Sequence, residues 1–242
     1  MMLPMELHDF LLTALAFFSE LLGTISGFGS STFFVPLALF LEKFQLILVL
    51  TSLLHCFGNI SKFFLFRESF SKKLLLQLAL PAILFTGIGA YLNSFFLSLY
   101  LQRVLGVLLI FLSTLHFFGR KKRVSMPVAS ALCGVSGLLT GLVGTGGAIR
   151  GLALSALQME KNSFVLLSAS IDLGGDLFRA AIYLYQGYMD WRQWFYLPLF
   201  GAAAIAGTIL GKMILNKIPQ EKFEKIVALL IFLSGISMLL KQ

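Results

Sequence analysis

The chain predicts an all-α polytopic membrane protein made of two inverted-topology repeats, and three observations carry that prediction. Of its 242 residues, 58% are apolar and 12% charged, against about 25% charged in soluble domains. The apolar residues fall in long, nearly uninterrupted stretches separated by short loops. The sequence also repeats itself: GFGSSTFFVP at 27–36 returns 117 residues later as GTGGAIRGLA. At that offset Gly58 falls on Gly175, Asn59 on Asp176, Lys62 on Arg179 and Pro81 on Pro198. After a slip of four residues, IFLS at 110–113 matches IFLS at 231–234.

Taken in order, apolar stretches lie at about 8–26, 45–66, 73–97, 101–118, 128–143, 163–185, 193–215 and 223–240. Most approach the roughly 20 residues a helix needs to span hydrocarbon. Two shorter pieces, about 30–42 and 148–159, follow the glycine-rich runs. Eleven helical residues cover about 16 Å, and five extended residues through the glycine run add about 16 Å more. Each short piece is therefore read as an unwound stretch followed by a half-helix, giving about 8–10 transmembrane segments in all. The division is 1–119 for the N-terminal membrane repeat, 120–127 for a basic cytoplasmic linker and 128–242 for the C-terminal membrane repeat. The N-terminal MMLPMELHDF lacks a basic region and a small-residue cleavage site, so it does not read as a removable signal peptide.

The net charge of +8 sits in short loops at helix ends, which marks topology and not nucleic-acid binding. Arg67, Lys72 and Lys73 form one cluster, Arg120 to Arg123 a second, and Lys212, Lys217, Lys222 and Lys225 a third. If each short piece completes a crossing, all three clusters face the cytoplasm, while the loops near 43, 98 and 188 and both termini face outward. If each short piece only dips in and returns, the cluster at 212–222 lies outside and the positive-inside rule is broken. An odd number of crossings per half also inverts the second half. The partners implied are the lipid bilayer and a small solute, with a homo-oligomer as a further option, and the location is the inner cell membrane.

Two sets of residues carry candidate chemistry. In the glycine runs, Gly27, Gly29, Ser30 and Ser31 precede the first half-helix, and Gly144, Thr145, Gly146 and Gly147 precede the second. Glycine permits positive φ and close approach, and N–H groups at a helix start favour an anion. The alternative is tight packing through small residues. The second set is His55, Asn59 and Lys62, which coincide with Asp172, Asp176 and Arg179. Their i, i+4, i+7 spacing puts each trio on one helix face. Ionisable groups in membrane segments face the bundle interior or a wet path. Lys62 and Arg179 then attract an anion while Asp172, Asp176 or His55 titrates. Alternatively, Asp176–Arg179 is an intrahelical pair and Lys62 snorkels to the interface.

Arg150 stands where the first half has Phe33, so it is an asymmetric element that either pairs with Asp172 or Asp176 or makes one side of the cavity more positive. Glu20 and His116 are single intramembrane polar groups; Glu20 is read as a proton shuttle or a structural hydrogen bond. Cys56 and Cys133 are not repeat-equivalent and read as buried thiols. With three scattered histidines and no Cys/His spacing, no metal is expected. No GxxxxGK[ST] loop is present, so nucleotide hydrolysis and bound cofactors are not expected either.

GFGSSTFFVPLAL and GLVGTGGAIRGLAL, with TSLLHCFGN after the first and a basic linker between the halves, resemble the paired signatures of the TauE/SafE sulfite exporter family, also called TSUP transporters. The resemblance covers essentially the whole chain. Ser30-Ser31 stands where the family often has further glycines, and Arg150-Gly151 where it commonly has an aliphatic-proline pair. The resemblance implies secondary transport of small sulfur oxyanions or sulfonates, such as sulfite, by a protein that is not an enzyme. Two other classes are a membrane sulfur-transfer enzyme, and a proton-coupled cation carrier using Asp172 and Asp176.

Overall fold

The structure is a computed structural model that describes residues 5–27, 29–66, 71–96, 98–118, 124–155, 157, 159–217, 232 and 236. Among these residues there is no strand, and the helices are α1 (Met5–Ser26), α2 (Ser31–Ala38), α3 (Phe44–Leu65), α4 (Lys72–Asn93), α5 (Ser98–Phe118), α6 (Met126–Val143), α7 (Gly147–Ser155), α8 (Lys161–Tyr185) and α9 (Tyr196–Leu215). A single 3-10 turn, Trp191–Gln193, leads into α9 through a capping box between Asp190 and Gln193. Phe28, Arg67, the cluster Arg120 to Arg123, Lys222 and Lys225 lie outside the described residues, as does the expected last segment apart from Phe232 and Ile236. The side chain of His116 lies outside them too.

The chain is an all-α polytopic membrane protein. Helices α1, α3, α4, α6 and α9 are long and apolar enough to cross a bilayer. Helix α8 has 25 residues, about 37 Å of helix, but its middle carries Asp172, Asp176 and Arg179. Leu76, Leu80, Leu84 and Ile88 of α4 recur every fourth residue and are exposed. Such a stripe has no place on a water-facing helix and every place against lipid. Both short helices are shorter than the sequence suggested, because α2 stops at Ala38 and α7 at Ser155. Helix α6 starts inside the stretch read as linker, with Pro127 in its first turn, where a missing N–H leaves nothing unpaired.

Packing relates the two halves. Helix α4 lies along α6 as α9 lies along α1; α3 crosses α8; α3 meets α9 as α8 meets α4. Exchanging each helix for its counterpart in the other half maps these pairs onto one another. The apolar core follows the same division, with one cluster mainly from α1, α2, α3 and α9, and another from α4, α6, α7 and α8. Glycines allow the close pairs. On α6, a Cβ at Gly137 would run into the Ala82 carbonyl and one at Gly141 into the Thr86 carbonyl; on α9, a Cβ at Gly207 or Gly211 would stand 2.8 or 2.9 Å from the α1 carbonyl of Phe17 or Leu21. These are small-xxx-small contacts.

Contacts between loops sort them into two ends. At one end His8 Nε2 lies 3.1 Å from the Leu41 carbonyl oxygen, the Tyr196 hydroxyl donates to Asp9, and the Tyr188 hydroxyl donates to Asn93 Oδ1 at 2.8 Å. At the other end Lys212 Nζ donates to the Leu65 carbonyl, and Ser130 Oγ donates to the Gln77 carbonyl at 2.8 Å. Helix α2 therefore returns toward the end where α1 began. Likewise Leu157 and Met159, just past α7, pack in one cluster with Met126 at the start of α6.

The glycine contacts give a direct test. Gly141→Val should lower the unfolding temperature in detergent, by an overpacking cost of about 1–3 kcal/mol. Gly134→Ala should be tolerated, since its new Cβ would meet Phe85 and Pro81 at 3.4 and 3.6 Å. Equal losses in the two variants would show that α4 and α6 do not meet backbone to backbone.

Candidate functional site

The polar faces of α3 and α8 meet in the middle of the bundle. Asn59 Nδ2 donates to Asp176 Oδ2 at 2.9 Å, a contact between residues 117 apart in sequence and hence at the same position of the two halves. Arg179 Nε donates to Asp176 Oδ1 at 2.9 Å, so the intrahelical pair offered by the i, i+3 spacing forms. The same guanidinium sends Nη1 to the carbonyls of Thr140 and Gly144, both at 3.3 Å. A cation thus closes the C-terminal end of α6, where the helix dipole is negative.

His55 joins this centre to the first break. Its Nε2 accepts the Ser31 N–H at 2.9 Å, one of the first-turn donors of α2 that has no partner within the helix. A nitrogen that accepts carries no proton, so the ring is neutral with its proton on Nδ1. That atom stands 3.3 Å from Asp176 Oδ2, within ion-pair range but not aligned as a hydrogen bond. The two breaks touch each other: Ser31 Oγ donates to Thr145 Oγ1 at 3.2 Å, and Thr32 Oγ1 lies 3.4 Å from the same atom. Gly27 and Gly144 both hold positive φ, +70° and +83°, which side chains with a Cβ adopt at a cost. Gly29 has φ +89°, whereas its counterpart Gly146 is needed as a glycine because a Cβ would strike the Ser136 carbonyl. Gly147 opens α7.

Arg150 pairs with Asp172 and not with Asp176: Nη1 donates to Asp172 Oδ1, and Nε donates to Ser168 Oγ at 3.0 Å. Ser168 Oγ in turn donates to the Gly27 carbonyl at 3.3 Å. The third nitrogen, Nη2, is buried and has no hydrogen-bond partner among the described residues. Lys62 does not snorkel. It is 5% exposed, and its Nζ donates to Glu20 Oε1 at 2.7 Å. Glu20, read from sequence as an isolated group, also accepts from Thr208 Oγ1 at 3.1 Å and Thr24 Oγ1 at 3.3 Å. Among the described residues the buried cations Lys62, Arg150 and Arg179 are thus matched by Glu20, Asp172 and Asp176.

A small cleft, with room for about one water, lies among α4, α6, α7 and α8, lined by Thr86, Ser136, Thr140, Arg150, Asp172 and Asp176, among others. Sequence reasoning found the charged members and missed the hydroxyls. A Thr or Ser in an apolar helix more often returns its proton to the preceding turn, and only the tertiary contacts set these three apart. His55, Asp172 and Asp176 bring ligand atoms within 4.8 Å of one another. Arg150 and Arg179 each hold one oxygen of these carboxylates. Cys56 and Cys133 are buried, free thiols.

This fold and site define a class: a multi-pass helical membrane protein with a charged, internally neutralised centre at which two broken helices meet. The family model described as Sulfite exporter TauE/SafE matches residues 12–238, and the chain belongs to that family. It is thereby a membrane transporter of sulfite or related anions. No curated protein and no solved structure gave a match to the chain.

The Lys62–Glu20 pair yields a stability prediction. Glu20→Gln strands a buried ammonium and should cost about 3–5 kcal/mol. Adding Lys62→Met should recover most of that loss in thermal unfolding. A Glu20→Gln protein as stable as wild type would mean that Lys62 reaches water.

Proposed function

We propose that the protein is a secondary transporter that moves a small sulfur oxyanion, sulfite or a simple sulfonate, by alternating access of two inverted bundles in the cell membrane. The observation that carries this reading is the meeting of the two breaks, Ser31 against Thr145, at a buried centre where Arg150 keeps one unpartnered nitrogen. Irregular backbone at membrane depth is tolerated where protein or a wet cavity satisfies it. Breaks at matching positions of two halves point to a transporter site. The exchange of helix partners between the halves supports the inverted arrangement, as does the return of each short helix toward its starting end. The sorting of Asp9, Glu42 and Asp190 to one end and of Lys72, Lys73 and Lys212 to the other supports a basic cytoplasmic face. An inside-negative potential then favours outward movement of an anion, by about 2.3 kcal/mol per charge per 100 mV. Both carboxylates that a cation carrier would use are already held by guanidiniums, which favours the anion reading.

Proteoliposomes loaded with [35S]sulfite should release label faster with the protein than without it. Gly29→Val forces a β-branched residue into φ +89° beside His55 and Arg150, so it should lower that flux by about tenfold or more, given a strain of about 1–3 kcal/mol at the site. Wild-type vesicles that leak sulfite no faster than empty ones would refute the transport reading. Orientation is tested separately by tag protection. Tags in the 212–217 and 71–73 loops should be reachable from the cytoplasm only, and a tag at 188–190 from outside only. A mixed result for the two basic loops would end the inverted-repeat reading.

A further inference from the structure

The residues of the cleft, moved 117 positions back along the chain, mark a second place in the molecule. Gly137, Asp172, Gly175 and Asp176 correspond to Glu20, His55, Gly58 and Asn59. That second place is taken up by a side chain. Where one half has Gly137, the other has Glu20, whose carboxylate is so close to Gly58 that a Cβ there would lie 2.6 Å from its carbon. One of its oxygens, Oε1, accepts from Lys62, Thr208 and Thr24 at 2.7, 3.1 and 3.3 Å. In the half with the cleft, Gly175 is faced by the Thr86 hydroxyl, 3.1 Å from where a Cβ would stand. Arg179 takes the position of Lys62, and Arg150 adds a cation where the other half has Phe33.

We propose that the transported oxyanion binds in the α4–α6–α7–α8 cleft on Arg150 Nη2, and that Glu20 is a tethered carboxylate filling the corresponding place in the other half. One anion position is permanently occupied by the chain; the other is open to exchange. The inference rests on the anion-transport reading and adds where the anion sits. Arg150 supplies the donor, since Nη2 is buried without a partner among the described residues in a residue 3% exposed. Guanidinium N–H groups bind oxyanions by charge-assisted hydrogen bonds. The hydroxyls come second. Thr86, Thr140 and Ser136 now donate to the carbonyls of Ala82, Ser136 and Gly146 at 2.7, 2.8 and 2.7 Å. Thr208 in the other half illustrates the alternative, a hydroxyl turned onto a carboxylate. Asp172 shares Arg150 with the incoming anion, so the site holds its ligand against a competitor on the same guanidinium, which suits release.

The test is binding of [35S]sulfite to purified protein in detergent, with monodispersity and thermal unfolding as checks on folding. Thr86→Asp puts a carboxylate into the cleft and should weaken binding by about tenfold or more relative to the neutral, similarly shaped Thr86→Asn, through like-charge repulsion. Arg150→Gln/Asp172→Asn keeps the charge balance and should also lower affinity by about tenfold or more, the loss expected for a charge-assisted donor. Sulfite should raise the unfolding temperature of Glu20→Ala more than that of the wild type, because the emptied place then takes an anion on Lys62. Wild-type affinity in both Thr86→Asp and the double variant would place the anion elsewhere and overturn the inference while leaving transport standing. Should the double variant not fold, the Asp-against-Asn comparison at position 86 decides alone. Equal sulfite shifts for Glu20→Ala and the wild type would overturn the equivalence of the two places. If the wild type neither binds nor carries sulfite, the transport reading falls and this inference falls with it.

Discussion

A carboxylate buried in a helical bundle has to be neutralised by the chain itself, and Asp176 is where this molecule meets that demand. Its effective desolvation penalty is several kcal/mol, and removal of one partner leaves the other charge exposed to the same penalty. Asn59 and Arg179 hold its two oxygens, and His55 stands beside them. Each partner then fixes something further away. Arg179 closes the end of α6 at the second break, and His55 takes the first N–H of α2 at the first. The two breaks are thus linked through one side chain, and the crossing of α3 and α8 follows from the same contacts.

The breaks themselves use two different devices for one shape. Gly27 and Gly144 both supply the left-handed turn. Beyond the turn the halves diverge. In the first half the returning peptide at Gly29–Ser30 comes so close to α1 that position 23 must be glycine. In the second half the helix keeps Thr140, and the close approach falls on Gly146, the counterpart of Gly29, where a Cβ would strike the Ser136 carbonyl. Either way one partner of the contact lacks a side chain, and the chain can fold back on the helix it has just left.

The helices were legible in the sequence because lipid demands long apolar runs, and their boundaries follow those runs closely. The half-helices were overextended, since apolar Leu39–Phe40 and Leu157 continue the pattern past the last helical turn, and hydropathy does not register where hydrogen bonding stops. Spacing sufficed to place His55, Asn59, Lys62, Asp172, Asp176 and Arg179 on two facing stripes. It could not say that Lys62 belongs to Glu20, because that contact joins α3 to α1 across 42 residues. Nor could it separate Thr86 and Thr140, whose back-bonded hydroxyls look the same in any helix until a neighbouring helix leaves room beside them. Of the two roles read for Gly146, positive φ and close approach, it serves the second.

Asn59 and Asp176 occupy one position of the repeat and touch each other. In an assembly of two identical, unfused halves, whatever residue sat there would face its own copy. Two aspartates would bury like charges side by side, and two asparagines would take from Arg179 the carboxylate that now holds it. A single continuous chain escapes that dilemma, because each copy can mutate alone. The Asn–Asp contact is therefore one that strict symmetry forbids, and covalent fusion of the halves is what makes the present charge pattern accessible to evolution.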